Sequence, residues 1–194
     1  GYDMLTGYGV SKNALTVAAV NQVLNYSGPA SVVMSDFSNY GPTDDGRIKP
    51  DISAKGVNVN SCGNLTNAQY SISSGTSMAA PAVTGGVLLL QNHYNNLNNA
   101  FMRASTVRGL ICHSAKEAGA NVGPDYEFGW GLIDVANAAT IISGRNTNSV
   151  IEENTLSSNG TFTKTFAIST PQTIMATICW TDPTGAQNGN NQED

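Results

Sequence analysis

The sequence is short of cationic charge: 9 Lys and Arg stand against 14 Asp and Glu, for a formal net charge of −5. Such a chain has no basic stripe with which to neutralise a phosphate backbone, which excludes nucleic-acid binding as a main role. Charge of either sign is scarce, at 12% of residues, about half the usual share of roughly 25%. Long apolar runs are also missing. The longest, Gly85 to Leu90, falls well below the ~20 residues of a spanning helix, so no membrane partner is expected. Cysteine is sparse and odd in number: Cys62, Cys112 and Cys179 cannot make a closed disulfide framework. No two of them stand at metal-ligand spacing, which argues against structural zinc. Cys62 and Cys112 are open to three readings: paired with each other, paired outside the chain, or free thiols. The chain opens Gly1-Tyr2-Asp3 without a charged-then-apolar leader and closes Asn191-Gln192-Glu193-Asp194 without a cap. The expectation is an internal piece of a longer protein.

Polarity is carried by Asn, Ser, Thr and Gly, as in the run Asn92 to Asn99. The 194 residues suffice to bury a core, as one domain or one domain plus the start of another. Ala14 to Val20 is apolar and reads as a buried strand. Val32 to Met34 reads as a short strand or loop edge, Ser35 to Gly46 as loop, and Val57 to Ser61 as a strand exposed on one face. Met78 to Tyr94 carries helical spacing and many small residues, which predicts a slim, buried helix with Pro81 in its first turn. A second helix is expected over Thr106 to Ala118, capped by Ser105 and stopped by Gly119, and a third over Asp134 to Ile142. Beyond Arg145 the helical period disappears. Val150 to Glu153, Thr161 to Ile168 and Thr173 to Trp180 alternate as strands do, so a boundary falls near Gly144 to Ser149.

The informative segment is Ser73-Ser74-Gly75-Thr76-Ser77-Met78-Ala79-Ala80-Pro81. A serine at a helix N-terminus lies among backbone N–H groups that can stabilise an oxyanion, and the helix dipole favours negative charge there. Gly75 lets backbone or substrate approach closely. Taken alone, Ser77 or Thr76 could simply cap the helix.

The string Gly75-Thr76-Ser77-Met78-Ala79-Ala80-Pro81 closely resembles the nucleophile motif of the subtilisin-like serine proteases, the peptidase S8 family. Phe37-Ser38-Asn39-Tyr40-Gly41-Pro42, Lys49-Pro50-Asp51 and Phe128-Gly129-Trp130-Gly131-Leu132-Ile133-Asp134-Val135 resemble the same family in the right order. The resemblance covers about three quarters of the chain. It implies an α/β class: part of a three-layer, parallel-sheet subtilisin-like fold. Residues 1–145 would be the C-terminal part of the peptidase domain. Thr173 to Gly185 resembles the opening of a β-sandwich that certain large secreted subtilases carry, so 146–194 would be the truncated start of a jelly-roll-like domain. It further implies a serine endopeptidase acting on polypeptides through an acyl-enzyme on Ser77, secreted to the extracellular space. The oxyanion and substrate-binding residues would be Thr76 and Gly75, and the Gly7-Tyr8-Gly9 loop would border the site. No cofactor is expected for catalysis.

The resemblance also implies a triad in the order Asp, His, Ser, and the first two members are not legible here. The chain has no His-Gly-x-His, no Asp-x-Gly strand end and no Ala-Gly-Asn-Ser-like run. The triad Asp and His, and an oxyanion Asn, are expected from an upstream N-terminal half of the same domain. A neutral serine is a poor nucleophile without a base, so the chain alone should be nearly inert and its sheet incomplete. His93 lies ~16 residues, and so ~24 Å, along the helix from its start, and His113 flanks an apolar stripe; both read as ordinary surface or rim histidines. Asp36, Asp44, Asp45 and Asp51 read as solvated or capping carboxylates, with a structural calcium role as the alternative. Three Asn-x-Ser/Thr sequences, at Asn25, Asn64 and Asn159, are what chance yields in so Asn- and Ser-rich a chain. The competing functional readings are an inactive subtilase-like binding or structural protein and an independent binding module after Val150.

Overall fold

A computed structural model describes residues 4–5, 7–168 and 170–183. The end of the expected second domain, residues 184–194, lies outside the described residues. The framework is a parallel pair of strands, β1 (Val17–Val20) and β2 (Ile52–Lys55), with Val17 opposite Ile52 and Val20 opposite Lys55. Single bridges widen it, Met34 against Val20 and Leu132 against Ser53, with Lys116 beyond Leu132. Both strands are buried on both faces, which is why their sequences read as near-continuous apolar or small runs. Residues 14–16 precede the ladder because their polar groups are bound elsewhere. The Ala14 carbonyl accepts from Lys49 Nζ at 2.9 Å, and the Thr16 N–H donates to Asp51 Oδ2 at 2.6 Å.

Three helices follow: α1 (Thr76–Asn98), α2 (Ala104–Ser114) and α3 (Val135–Ser143). Their buried residues, among them Val83, Leu90, Ile111 and Ile142, join one cluster with Ala19, Ile52 and Ala54. The period-2 alternation of a strand sends Val20 to the opposite face, where it meets Val32, Ala118 and Phe128 from loops. This is a partial α/β arrangement. The second helical layer of the expected three-layer fold is absent among the described residues, and loops cover that face.

Several expectations need correction. The first helix starts at Thr76, which puts Pro81 sixth in the helix rather than in its first turn. Its missing N–H therefore leaves the Ser77 carbonyl without an i+4 donor. The helix is buried along one face only. A Cβ on Gly86 would stand 2.7 Å from Val135 Cγ2, whereas Leu88 and Leu89 are 66% and 67% exposed. Ser105 lies inside α2 and caps nothing; the helix ends at Ser114, so Ala118 is buried in a loop. The Arg103 N–H at the N-cap instead donates to Glu153 Oε1 at 2.7 Å, and the same oxygen accepts from Thr106 Oγ1. An acid 50 residues away thus supplies the negative charge that a helix N-terminus favours. The strand expected over Val57–Ser61 is β3 (Val59–Cys62), paired antiparallel with β4 (Tyr70–Ser73), an exposed strand too polar to stand out in the sequence. Among the described residues no ladder forms after Ser149. Val150–Glu153, Thr161–Ile168 and Thr173–Trp180 are extended or irregular, because no neighbouring strand is there to receive their backbone bonds.

The third helix, expected over Asp134 to Ile142, runs Val135–Ser143 with Asp134 as its N-cap. Asp134 Oδ1 accepts from the Asn137 N–H at 2.9 Å, and Oδ2 lies 3.0 Å from Lys116 Nζ. Burial works to raise this carboxyl, but the Asn137 bond and Lys116 outweigh it and hold it below its ordinary value of 3.8. A depressed native value stabilises the fold fully above the ordinary carboxylate range and loses that effect as pH falls through the lowered value. Replacing Asp134 by Ala should cost about 1 kcal/mol at neutral pH, and the gap to the parent should close on acidification. Urea unfolding of both proteins across pH 2–7 checks this; a gap that persisted at the acid end would show that the cap acts without its charge.

Candidate active site

The site begins at the end of β2. Gly56 N–H donates to the Val20 carbonyl at 3.0 Å, and the Gly56 carbonyl accepts from Gly75 N–H at 2.8 Å. The turn before α1 is thereby tied to the carboxyl end of the parallel pair. The approach is close: a Cβ on Gly56 would stand 2.5 Å from Ala19 Cβ and 2.8 Å from the Gly75 carbonyl oxygen. Ser74 adds a second tie, its Oγ accepting from the Asn58 N–H at 2.9 Å. The sequence alone assigns no such role to Gly56 or Ser74. A glycine directly after a buried strand is the signal that could have marked the first.

Gly75 is the N-cap of α1, extended at φ 159° and ψ 160°, and no side chain caps the helix. Its carbonyl accepts from Met78 N–H at 3.0 Å and Ala79 N–H at 3.3 Å. The preceding two N–H groups, of Thr76 and Ser77, find no acceptor among the described residues. Ser77 is the second residue of the helix and is exposed, and its hydroxyl has no hydrogen-bond partner among the described residues. The capping alternative for Ser77 and Thr76 is therefore not what the structure adopts. A hydroxyl and an unbonded N–H on one residue, at the positive end of a 23-residue helix, can serve attack on a carbonyl and stabilisation of the resulting oxyanion.

Thr76 lines a hollow of ≈ 230 Å³ together with Gly9, Thr16, Phe37, Asn39 and Pro50. Three stretches distant in sequence, around residues 9, 37 and 50, thus converge beside the helix start. A larger hollow of ≈ 390 Å³ lies along α1 against α2, lined by Val83, Val87 and Val107 among others, and Ser77 is not in its wall. It contains no nucleophile and base pair. Neither histidine bonds to Ser77: His93 Nε2 lies 2.8 Å from Ser143 Oγ, and His113 Nδ1 lies 2.8 Å from Thr177 Oγ1. Asp45 is paired with Arg47 at 2.6 Å and Asp51 with Lys49 at 2.6 Å. The Arg47 and Thr43 hydrogen bonds hold the Asp45 carboxyl down at about 2. Among the described residues no three His, Cys, Asp or Glu side chains cluster closely enough to hold a metal ion.

The family model described as the subtilase family, peptidase S8, matches residues 6–131. The PII-type proteinase of Lactococcus lactis subsp. cremoris is 48% identical over 68 residues, which is 35% of this chain and 4% of that protein. The C5a peptidase of Streptococcus pyogenes serotype M3 is 43% identical over 84 residues, 43% of this chain and 7% of that protein. Among solved structures, the CspB protease of Clostridium perfringens aligns with TM-score 0.64 and 26% identity over 75% of this chain and 30% of that one. The patellamide maturation protease PatA aligns with TM-score 0.52 and 26% identity over 70% of this chain and 45% of that one. The chain spans only a few per cent of the length of these curated relatives.

Gly56→Ala should force the Gly75 turn off the end of β2. The expected cost is about 1–3 kcal/mol, a fall of several degrees in Tm for a chain of this size. Calorimetry of the variant checks it, and an unchanged Tm would mean that the turn relaxes without loss.

Proposed function

The chain belongs to the subtilase family, and on that premise we propose that it carries the nucleophile, Ser77, of a serine endopeptidase. The observation that carries the proposal is the state of Ser77: exposed, second in α1, its hydroxyl and its N–H both without a partner among the described residues. The Ser77 Oγ attacks the scissile carbonyl carbon. Its proton passes to a histidine, and the negative charge on the carbonyl oxygen is met by the Ser77 N–H and the helix dipole. Collapse of the tetrahedral species expels the amine and leaves an acyl-enzyme, which water then hydrolyses. Thr76 borders the oxyanion, and Gly75 leaves room for substrate. The reaction uses side-chain and backbone groups alone and calls on no cofactor.

The histidine, the aspartate that orients it and a second oxyanion donor come from an upstream segment of the same domain. This reading is supported by the separate engagements of His93 and His113 and by the small share of its relatives that the chain spans. The substrates are polypeptides, and the protein acts outside the cell. Residues 146–194 are read as the opening of a following β-sandwich domain, and a structural calcium ion, if bound, lies outside the acyl-transfer chemistry.

The test is labelling of the full-length protein with a fluorophosphonate, which phosphonylates an activated serine, forming an Oγ–P bond and releasing fluoride. The label should map to Ser77, and Ser77→Ala should lose it together with about 10⁶-fold in kcat, the magnitude the same loss has in subtilisin itself. A folded full-length protein that leaves Ser77 unlabelled would instead be an inactive binding or structural member of the family.

A further inference from the structure

The segment after α3 has no ladder to hold it, yet residues 177–182 are seated on α2 and on the loop before β1. Thr177 Oγ1 lies 2.8 Å from His113 Nδ1, and the Trp180 carbonyl accepts from Arg108 Nη2. Asp182 exchanges two bonds with Asn13: its carbonyl accepts from Nδ2 at 3.1 Å, and its N–H donates to Oδ1 at 2.9 Å. Between these anchors Cys179 rests on Gly109. A Cβ built on Gly109 would stand 3.0 Å from Cys179 Cβ and 4.0 Å from Thr177 Cγ2. Gly109 and Cys112 are three residues apart on α2, so their Cβ positions share a face at a spacing of about 5–6 Å. A helical side chain leans toward the helix N-terminus, which brings the Cys112 thiol back over Gly109. The two thiols therefore meet the same patch, one from the helix and one from the strap, and both are half-buried and unpaired. Cys62 stands apart, exposed on β3.

We propose that Cys112 and Cys179 form a thiol pair that closes to a disulfide on oxidation by a small disulfide, clamping the 177–182 strap to α2. The Cys179 thiolate attacks one sulfur of the oxidant and displaces the other as a thiolate, giving a mixed disulfide. The Cys112 thiolate then attacks the Cys179 sulfur and displaces the second thiolate. Two protein thiols are oxidised, the oxidant is reduced to two thiols, and the two protein protons pass to those leaving groups. Burial, reinforced by Asp51 and Cys179, pushes the Cys112 thiol up to about 12. Its thiolate is therefore scarce at neutral pH, which assigns the first attack to Cys179. The clamp closes in an oxidising compartment and stays open in a reducing one.

Peptide mapping of the full-length protein after native incubation with glutathione disulfide tests the pair. The peptides holding Cys112 and Cys179 should be recovered linked and lighter by two hydrogens, with Cys62 outside the bridge. Cys62→Ser should form the same link, and Cys179→Ser should lose it completely. A second reading needs no variant: without oxidant, iodoacetamide should modify Cys62 well before Cys112, and after oxidation neither Cys112 nor Cys179 should react until a reductant is added. Recovery of Cys112 joined to Cys62 or to glutathione, or alkylation of Cys112 and Cys179 in the oxidised protein, would overturn the proposal.

Discussion

Everything at the candidate site hangs on the space left by a missing side chain at Gly56. The residue closes the parallel ladder by donating to Val20 and also receives the Gly75 N–H, so the sheet and the turn are joined through one residue. Ala19 on one side and the Gly75 carbonyl on the other leave no volume for a Cβ. A turn held this rigidly fixes where α1 begins. The helix start in turn decides which N–H groups go without an acceptor, because the Gly75 carbonyl satisfies Met78 and Ala79 while Thr76 and Ser77 are left over.

The base of the sheet is held by a different interaction. Lys49 is 3% exposed and pairs with Asp51 at 2.6 Å. Asp51 is partly buried, at 21% exposure, and such a pair is tolerated where each partner makes a further hydrogen bond. Here Lys49 reaches the Ala14 carbonyl and Asp51 receives the Thr16 N–H, so the pair pins the approach to β1 against the approach to β2. The Asp51 carbonyl also accepts from the Trp130 N–H at 2.9 Å. One ion pair thereby aligns three stretches of chain, and two of its neighbours, Thr16 and Pro50, line the hollow beside Thr76.

The same structure keeps both histidines away from Ser77. A helix of 23 residues carries His93 far from Ser77, where it bonds Ser143, and His113 is engaged by Thr177 on the strap. Residues that polarise a serine must lie within hydrogen-bond reach of it, and among the described residues none does. The outer flank of α1 is exposed, with Leu88 and Leu89 turned outward.

The sequence by itself determined the local choices. The apolar run of residues 14–20 marked β1, the 3.6-residue period marked the three helices, and the string around Ser77 carried the family resemblance in consecutive residues, whereas β2, whose sequence is half polar, and the Asp134 cap were not read from it. These are short-range effects, written in neighbours along the chain. The tertiary structure decided what depends on distant residues. Glu153 rather than Ser105 serves the start of α2, because an anion is stabilised at a helix N-terminus wherever in the chain it originates. Gly75 rather than a side chain caps α1, which leaves the Ser77 hydroxyl unengaged. The alternating residues after Val150 form no ladder among the described residues, since alternation prepares a strand but hydrogen bonds to a neighbour make one. Likewise no spacing rule could bring Cys179 onto Gly109, because that contact exists only once the strap lies down on α2.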